Sequence, residues 1–224
     1  MDKSVYLHGI SAYDDLYNPR YTNRLLEDIL KSEALLSFNK QISKYGKNRY
    51  RERDGRIGFN GVDYISLCDY EKRYERFPDR RHYNSFHAYI LYSLAIIFPK
   101  DKLSVITPEL ICIDDELDFF IEMARCGLSK TKQYSDMADE VQVKDIIPLS
   151  LMSGVTIPLD KLDRIFYTSS MYLDIALKEI DKLATLLLKY GYDIPIYDIK
   201  STESLLDITN VKRLVKEYHK KWRL

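Results

Sequence analysis

The chain has 224 residues, which at ~150 residues per domain is between one and two domains; that is enough to bury a core without disulfide or metal staples. With 46% hydrophobic and 30% charged residues, 8 Gly and 7 Pro, the composition excludes collagen-like and disordered classes. Thirty-four Lys and Arg balance thirty-four Asp and Glu, so no global field draws the chain to nucleic acid or an anionic membrane, and any such binding must come from a local patch.

Cys68, Cys112 and Cys126 show no CxxC spacing, and Met1-Asp2-Lys3-Ser4 leads into no apolar signal segment. Free thiols in a reducing cytosol are expected, which for an exported toxin or effector would be the cytosol of a host. The longest apolar stretches, Ile90 to Pro99 and Leu183 to Leu188, fall short of the ~20 residues that span a bilayer, so no membrane partner is expected.

In chain order, Val5-Tyr6-Leu7-His8 predicts a first strand, followed by a loop from Gly9 to Tyr21 rich in Asp, Asn and Pro. Leu25, Leu26, Ile29 and Leu30 recur at helical spacing after Thr22, a candidate N-cap, and predict a helix that ends near Ser37. Lys40 to Arg56 carries seven bases and no apolar period, which predicts a basic loop. Val62 to Cys68 reads as a strand entered through the Asn60-Gly61 turn, and Glu71 to His82 as a second charged loop. The continuous apolar run Tyr89 to Phe98, closed by Pro99, predicts a central strand buried on both faces, with Leu103 to Ile106 as its hairpin partner.

Further on, Glu109 to Glu122 is an acidic, solvated stretch. Glu140-Val141-Gln142-Val143 alternates as a strand, and Ile146 to Leu149 with Val155 to Pro158 reads as a bent strand pair or turn. Leu173, Ala176, Leu177, Ile180, Leu183, Ala184 and Leu187 predict a helix stopped by Gly191 at C′. A short strand at Ile194 to Tyr197 precedes a last helix with Val211, Leu214, Val215, Tyr218 and Trp222 on one side and lysines and arginines on another. Basic residues at a helix C-terminus suit its dipole.

Motifs for common chemistries are missing. His8, His82, His87 and His219 form no HExxH, so no metal centre is expected, and the Asp114-Asp115-Glu116 run reads as a solvated face. The chain has no P-loop, no GxGxxG and no GxSxG elbow. What remains is an ordered trio: His8 closing the first strand with Gly9 after it, Tyr64 within a middle strand, and Glu140 opening a late strand.

Tyr6-Leu7-His8-Gly9-Ile10-Ser11 resembles the His-Gly-Thr/Ser first strand of the diphtheria-toxin-like and poly(ADP-ribose) polymerase-type ADP-ribosyltransferases. Gly58 to Leu67 resembles their tyrosine strand, and Glu140 to Val143, followed by Ile147-Pro148-Leu149, the glutamate strand of the DNA-modifying toxins among them. The Leu26, Ile29, Leu30 helix falls where that superfamily has the helix after its first strand. The resemblance covers pieces of residues 5 to 158.

It implies an α+β fold, a split antiparallel β-sheet core of ADP-ribosyltransferase type over residues 1–165, with a helical C-terminal extension, 166–224, packed on it. It also implies NAD+ as substrate, no metal, and ADP-ribose transfer to a macromolecular acceptor. Cleaving the nicotinamide–ribose bond builds an oxocarbenium-like sugar, so Glu140 would stabilise positive charge through the ribose 2′-OH. Tyr64, with Tyr70 or Tyr83, would sandwich the nicotinamide ring. His8 would bond a ribose hydroxyl, the Gly9 backbone would approach the carboxamide, and Ser66 or Ser85 would donate to it. An RNA 2′-phosphotransferase, an NAD+ glycohydrolase using the same cleft, and an inactive interaction protein of the same fold are the alternatives.

Two departures from the pattern stand out, and the second bears on the acceptor. Ile10 stands where Thr or Ser is usual, and Ala138, two residues before Glu140, stands where arginine-modifying members carry Glu or Gln, so arginine is not the expected acceptor. Residues 40 to 82 carry twelve bases against seven acids, a net of +5, around Tyr45, Tyr50, Tyr70 and Tyr74. Lys47, Arg49, Arg51, Arg53 and Arg56 could there hold the phosphates of a nucleic acid while tyrosines stack its bases.

Overall fold

In a computed structural model of the chain, residues 1–2, 4–12, 19–45, 64–71, 93–106, 140–160, 162 and 168–221 are described. The fold is α+β: a mostly antiparallel six-stranded mixed sheet, a two-stranded sheet and four α-helices among the described residues. The large sheet has the order β5-β3-β1-β4-β7-β8. Its strands are β1 (Val5–Ala12), β3 (Tyr64–Asp69), β4 (Ser93–Pro99), β5 (Glu140–Lys144), β7 (Gly154–Ile157) and β8 (Ile196–Asp198). Among the described strand pairs, β7 and β8 alone run parallel. The small sheet pairs β2 (Ala34–Leu36) with β6 (Ile146–Pro148).

The alternation of each strand splits its side chains between two cores. On one face lie Tyr6 of β1, Ile65 and Leu67 of β3, Leu94, Ile96 and Phe98 of β4, Val141 and Val143 of β5, and Val155 and Ile157 of β7. They pack beneath α1 (Pro19–Ser32), α3 (Ser169–Lys189) and α4 (Ile208–Lys221), which supply Leu26, Leu30, Tyr172, Ala176, Leu183, Val211, Leu214 and Val215 among others. On the other face a smaller core joins Val5, Leu7, Cys68, Tyr70, Ala95, Ile97 and Ile199. Strand β4, third from one edge and buried from Leu94 to Phe98, is the central strand expected of an apolar run without alternation.

Residues 166–224 contribute more than helices, because β8 completes the large sheet. A buried carboxylate secures them. Asp198 accepts hydrogen bonds from the Leu159 amide at 3.1 Å, the Ser201 amide at 2.8 Å and the Tyr218 hydroxyl at 2.6 Å. These join the end of β8, the turn after β7 and α4. Burial nevertheless holds the Asp198 carboxyl above the usual carboxylate range.

Several expectations are corrected. The first strand continues to Ala12 rather than closing at His8. Helix α1 begins at Pro19, not after Thr22, and ends at Ser32, not Ser37. Proline suits a first helical turn because its missing N–H would have no partner there. Glu33, at φ 57°, turns the chain into β2, so Leu35 and Leu36 are strand residues. The basic stretch expected as loop starts inside α2 (Phe38–Tyr45). Leu103 to Ile106 is not a hairpin partner of β4: a short 3₁₀ turn, Lys100–Lys102, follows β4, and Ile106 exchanges backbone hydrogen bonds with Gln142 at 2.9 and 2.8 Å. The segments at 146–149 and 155–158 do not pair with each other; β6 joins β2, while β7 lies between β4 and β8. Asp145, at φ 63°, makes the bend that sends β5 and β6 into different sheets.

Candidate functional site

Strands β1 and β3 share two rungs, Tyr6↔Asp69 and Leu7↔Cys68. Beyond Leu7, β1 runs on beside β4 as far as the rung Ala12↔Ser93. In the same direction β3 runs back beside β5 to the rung Tyr64↔Lys144. The sheet therefore forks, with His8 first on one arm and Leu67 first on the other. The local cause is on β1, whose register against β4 shifts between Gly9 and Ser11. A bulge bends its strand and increases the twist, and it commonly ends pairing on one side.

The closed end of the fork is pinned. Lys100 sits 2.7 Å from Asp69 and 2.9 Å from Glu71, with its ammonium 5.6 Å above the Tyr6 ring. Burial alone would lower the Lys100 pKa, but hydrogen bonds to both carboxylates outweigh it and raise it. Burial, helped by the Asp69 charge, pushes the Tyr6 phenol up.

The expected site residues fall around this fork. His8, half-buried, is the first residue past the last rung, and Gly9 follows it. Glu140 opens β5 in register with Cys68, level with the last rung. Tyr64 and Ser66 lie along the β3 arm at alternate positions, so their register positions share one face with Glu140. His8 alternates with Leu7 and belongs to the opposite face, that of Tyr6 and Ile96. Regular alternation thus puts the register position of His8 on the opposite face from those of Tyr64 and Glu140. Two strand spacings of ~4.8 Å separate the Glu140 and Leu7 positions, roughly 10 Å across the sheet.

Tyr70 is a correction. It is 2% exposed, belongs to the smaller core, and donates its hydroxyl to the Ile199 carbonyl at 2.8 Å. It fixes the turn after β8 and is no platform for a ligand ring. Tyr83, Ser85 and the basic residues Lys47, Arg49, Arg51, Arg53 and Arg56 lie outside the described residues, as do His82, His87 and the Asp114-Asp115-Glu116 run. Among the described residues no cluster of three or more His, Cys, Asp or Glu could hold a metal ion, and no helix is long and apolar enough to cross a membrane.

Sequence reasoning missed Gln142, 3% exposed on β5 and opposite Ser66, which places a buried amide two residues beyond Glu140. A polar residue between Val141 and Val143 suggests a solvated face, whereas in the structure Gln142 is buried and Ile106 bridges to it on the outer side of β5. Ser11, on the β1 arm past the register shift, is among the residues the extended strand adds to the fork.

No protein-family model matches the chain, and neither a curated protein nor a solved structure matches it.

Proposed function

We propose that the chain is an ADP-ribosyltransferase whose large sheet is the split core of that superfamily, and that it moves ADP-ribose from NAD+ to a nucleic acid or to a protein side chain other than arginine. The observation that carries this reading is the fork: the strands bearing His8, Tyr64 and Glu140 are consecutive neighbours in the sheet, and β1 parts from β3 at His8.

The chemistry suits a fork between strands. The dinucleotide is long and flat at its nicotinamide end, and a gap edged by backbone admits the ring where a closed sheet would not. The bond that breaks joins ribose C1′ to the nicotinamide nitrogen, whose electron pair leaves with neutral nicotinamide. The positive charge left on the sugar is what a Glu140 carboxylate at the ribose 2′-OH would stabilise. His8 would hold a ribose hydroxyl from the other arm, and Tyr64 would give the ring its platform. The acceptor then attacks C1′ with its own lone pair and gives up its proton.

Purified protein supplied with NAD+ labelled separately in nicotinamide and adenine tests this directly. The expected result is release of free nicotinamide, with the adenine label following a nucleic acid or protein acceptor and with both activities lost in His8→Ala. A parent protein that neither binds NAD+ nor releases nicotinamide overturns the proposal.

A further inference from the structure

Helix α4 buries one side, with Val211, Leu214, Val215 and Tyr218 all in the larger core. Its outer side carries Lys212, Lys216 and Lys220, all exposed and spaced i, i+4, i+8. At 1.5 Å of rise and 3.6 residues per turn this is a slanted column with a cation every ~6 Å along the axis, each turned ~40° from the last. The acids that could neutralise it are engaged elsewhere: Arg213 takes Glu217 at 2.7 Å and also binds Glu203. Among the described residues none of the three lysines forms an ion pair. On α1 and α3, Lys31 and Lys189 pair with Glu27 and Lys182 pairs with Glu179, whereas Lys178 forms no ion pair among the described residues. Like charges four residues apart oppose helix formation, so the column weakens α4 for no gain within the fold beyond what its C-terminal dipole returns.

We infer that the Lys212–Lys216–Lys220 column is a docking surface for the phosphate backbone of a nucleic acid. A uniformly charged strand satisfies an evenly spaced row of cations where an isolated carboxylate cannot. Lysine, a compact charge on a mobile stem, suits contacts that do not read sequence. A membrane is the poorer fit, because an interfacial helix must bury an apolar side in lipid, and that side of α4 is already covered by the sheet. Since α4 packs on α3 and the large sheet's core rather than at the fork, the surface would hold a long polymer without touching the reacting nucleotide. The inference does not depend on NAD+ chemistry.

The test is affinity for a short duplex and a short single strand, measured against salt and without NAD+. Each phosphate contact contributes a log–log slope of about −0.9 on duplex. Replacing all three lysines with Gln should therefore flatten the duplex slope by about 2.7, and Lys216→Gln alone by about 0.9. The triple Lys→Arg variant should keep the parent slope, as should Lys178→Gln with Lys182→Gln on α3. No binding by the parent at low salt overturns the inference, and so does an unchanged slope in both Gln variants. Equal competition by polyglutamate, or equal retention on phosphatidylserine vesicles, would also overturn it by showing a column that serves any anionic surface.

Discussion

Leu7 and Cys68 form the last rung that β1 shares with β3, and Cys68 is also in register with Glu140 on β5. One transverse row therefore runs from the candidate carboxylate to the apex of the fork, and the residue after that apex on β1 is His8. This row makes the stability of the closed end a condition for the geometry of the open one.

Lys100 should be the residue on which that closed end depends. It is the cation bonded to both Asp69, which is 4% exposed, and Glu71. Lys100→Met keeps the apolar stem over Tyr6 and removes the charge that partners a buried carboxylate. A loss of about 1.5–3 kcal/mol is expected from denaturant midpoints, the range for hydrogen bonds to charged groups. A loss within error of zero would show that the rungs alone hold β1 against β3.

Gly154 should tolerate no side chain. A Cβ there would lie 2.9 Å from the Pro195 carbonyl oxygen and 3.2 Å from both Ile97 Cδ1 and Tyr197 Cε2. The first of these is backbone and cannot swing aside, so β8 must move off β7. Gly154→Ala is expected to cost ~1–3 kcal/mol, the usual range for overpacking, with faster hydrogen exchange at the Val155 amide, which donates to Pro195. Unchanged stability would mean that the β7–β8 pair has slack.

Glu27 ties α1 to α3 and should give acid stability a visible dependence on one residue. Its carboxylate accepts from the Tyr190 hydroxyl at 2.7 Å and the Lys189 ammonium at 2.9 Å, and these bonds hold its pKa at about 2 instead of 4.5. A depressed folded-state pKa contributes stability that is present above the unfolded value and lost as pH falls through the folded one. The parent should therefore lose thermal stability between pH 4.5 and about 2 more steeply than Glu27→Gln. Parallel melting curves of the two proteins across that window would contradict the assignment.

What the sequence announced and what it hid differ in range of interaction. The Leu173 to Leu187 stripe and the Gly191 stop are local signals, and α3 with Gly191 at φ 82° follows them. The apolar run in β4 and the alternation in β5 are equally local. Strand β2 is not: Leu35 and Leu36 continue the apolar spacing of α1 and become strand only because β6 waits for them far along the chain. Ile106 is the same case with Gln142. In α2 the bases drew attention from a short apolar period, Phe38, Ile42 and Tyr45 at i, i+4 and i+7. At the candidate site, His8, Tyr64 and Glu140 were legible as residues on strands. The fork between those strands was not, because a register shift at Gly9 and Ser11 leaves no mark beyond one glycine in an extended segment.

The measurement closest to the central claim compares NAD+ affinity with nicotinamide release in the parent and in Glu140→Gln. A carboxylate that acts on the developing sugar cation contributes in the transition state and little in the ground state, so release should fall on the order of 10²-fold or more while the dissociation constant for NAD+ stays within a few-fold. Equal loss of binding and release, or release that does not fall at all, would contradict the account.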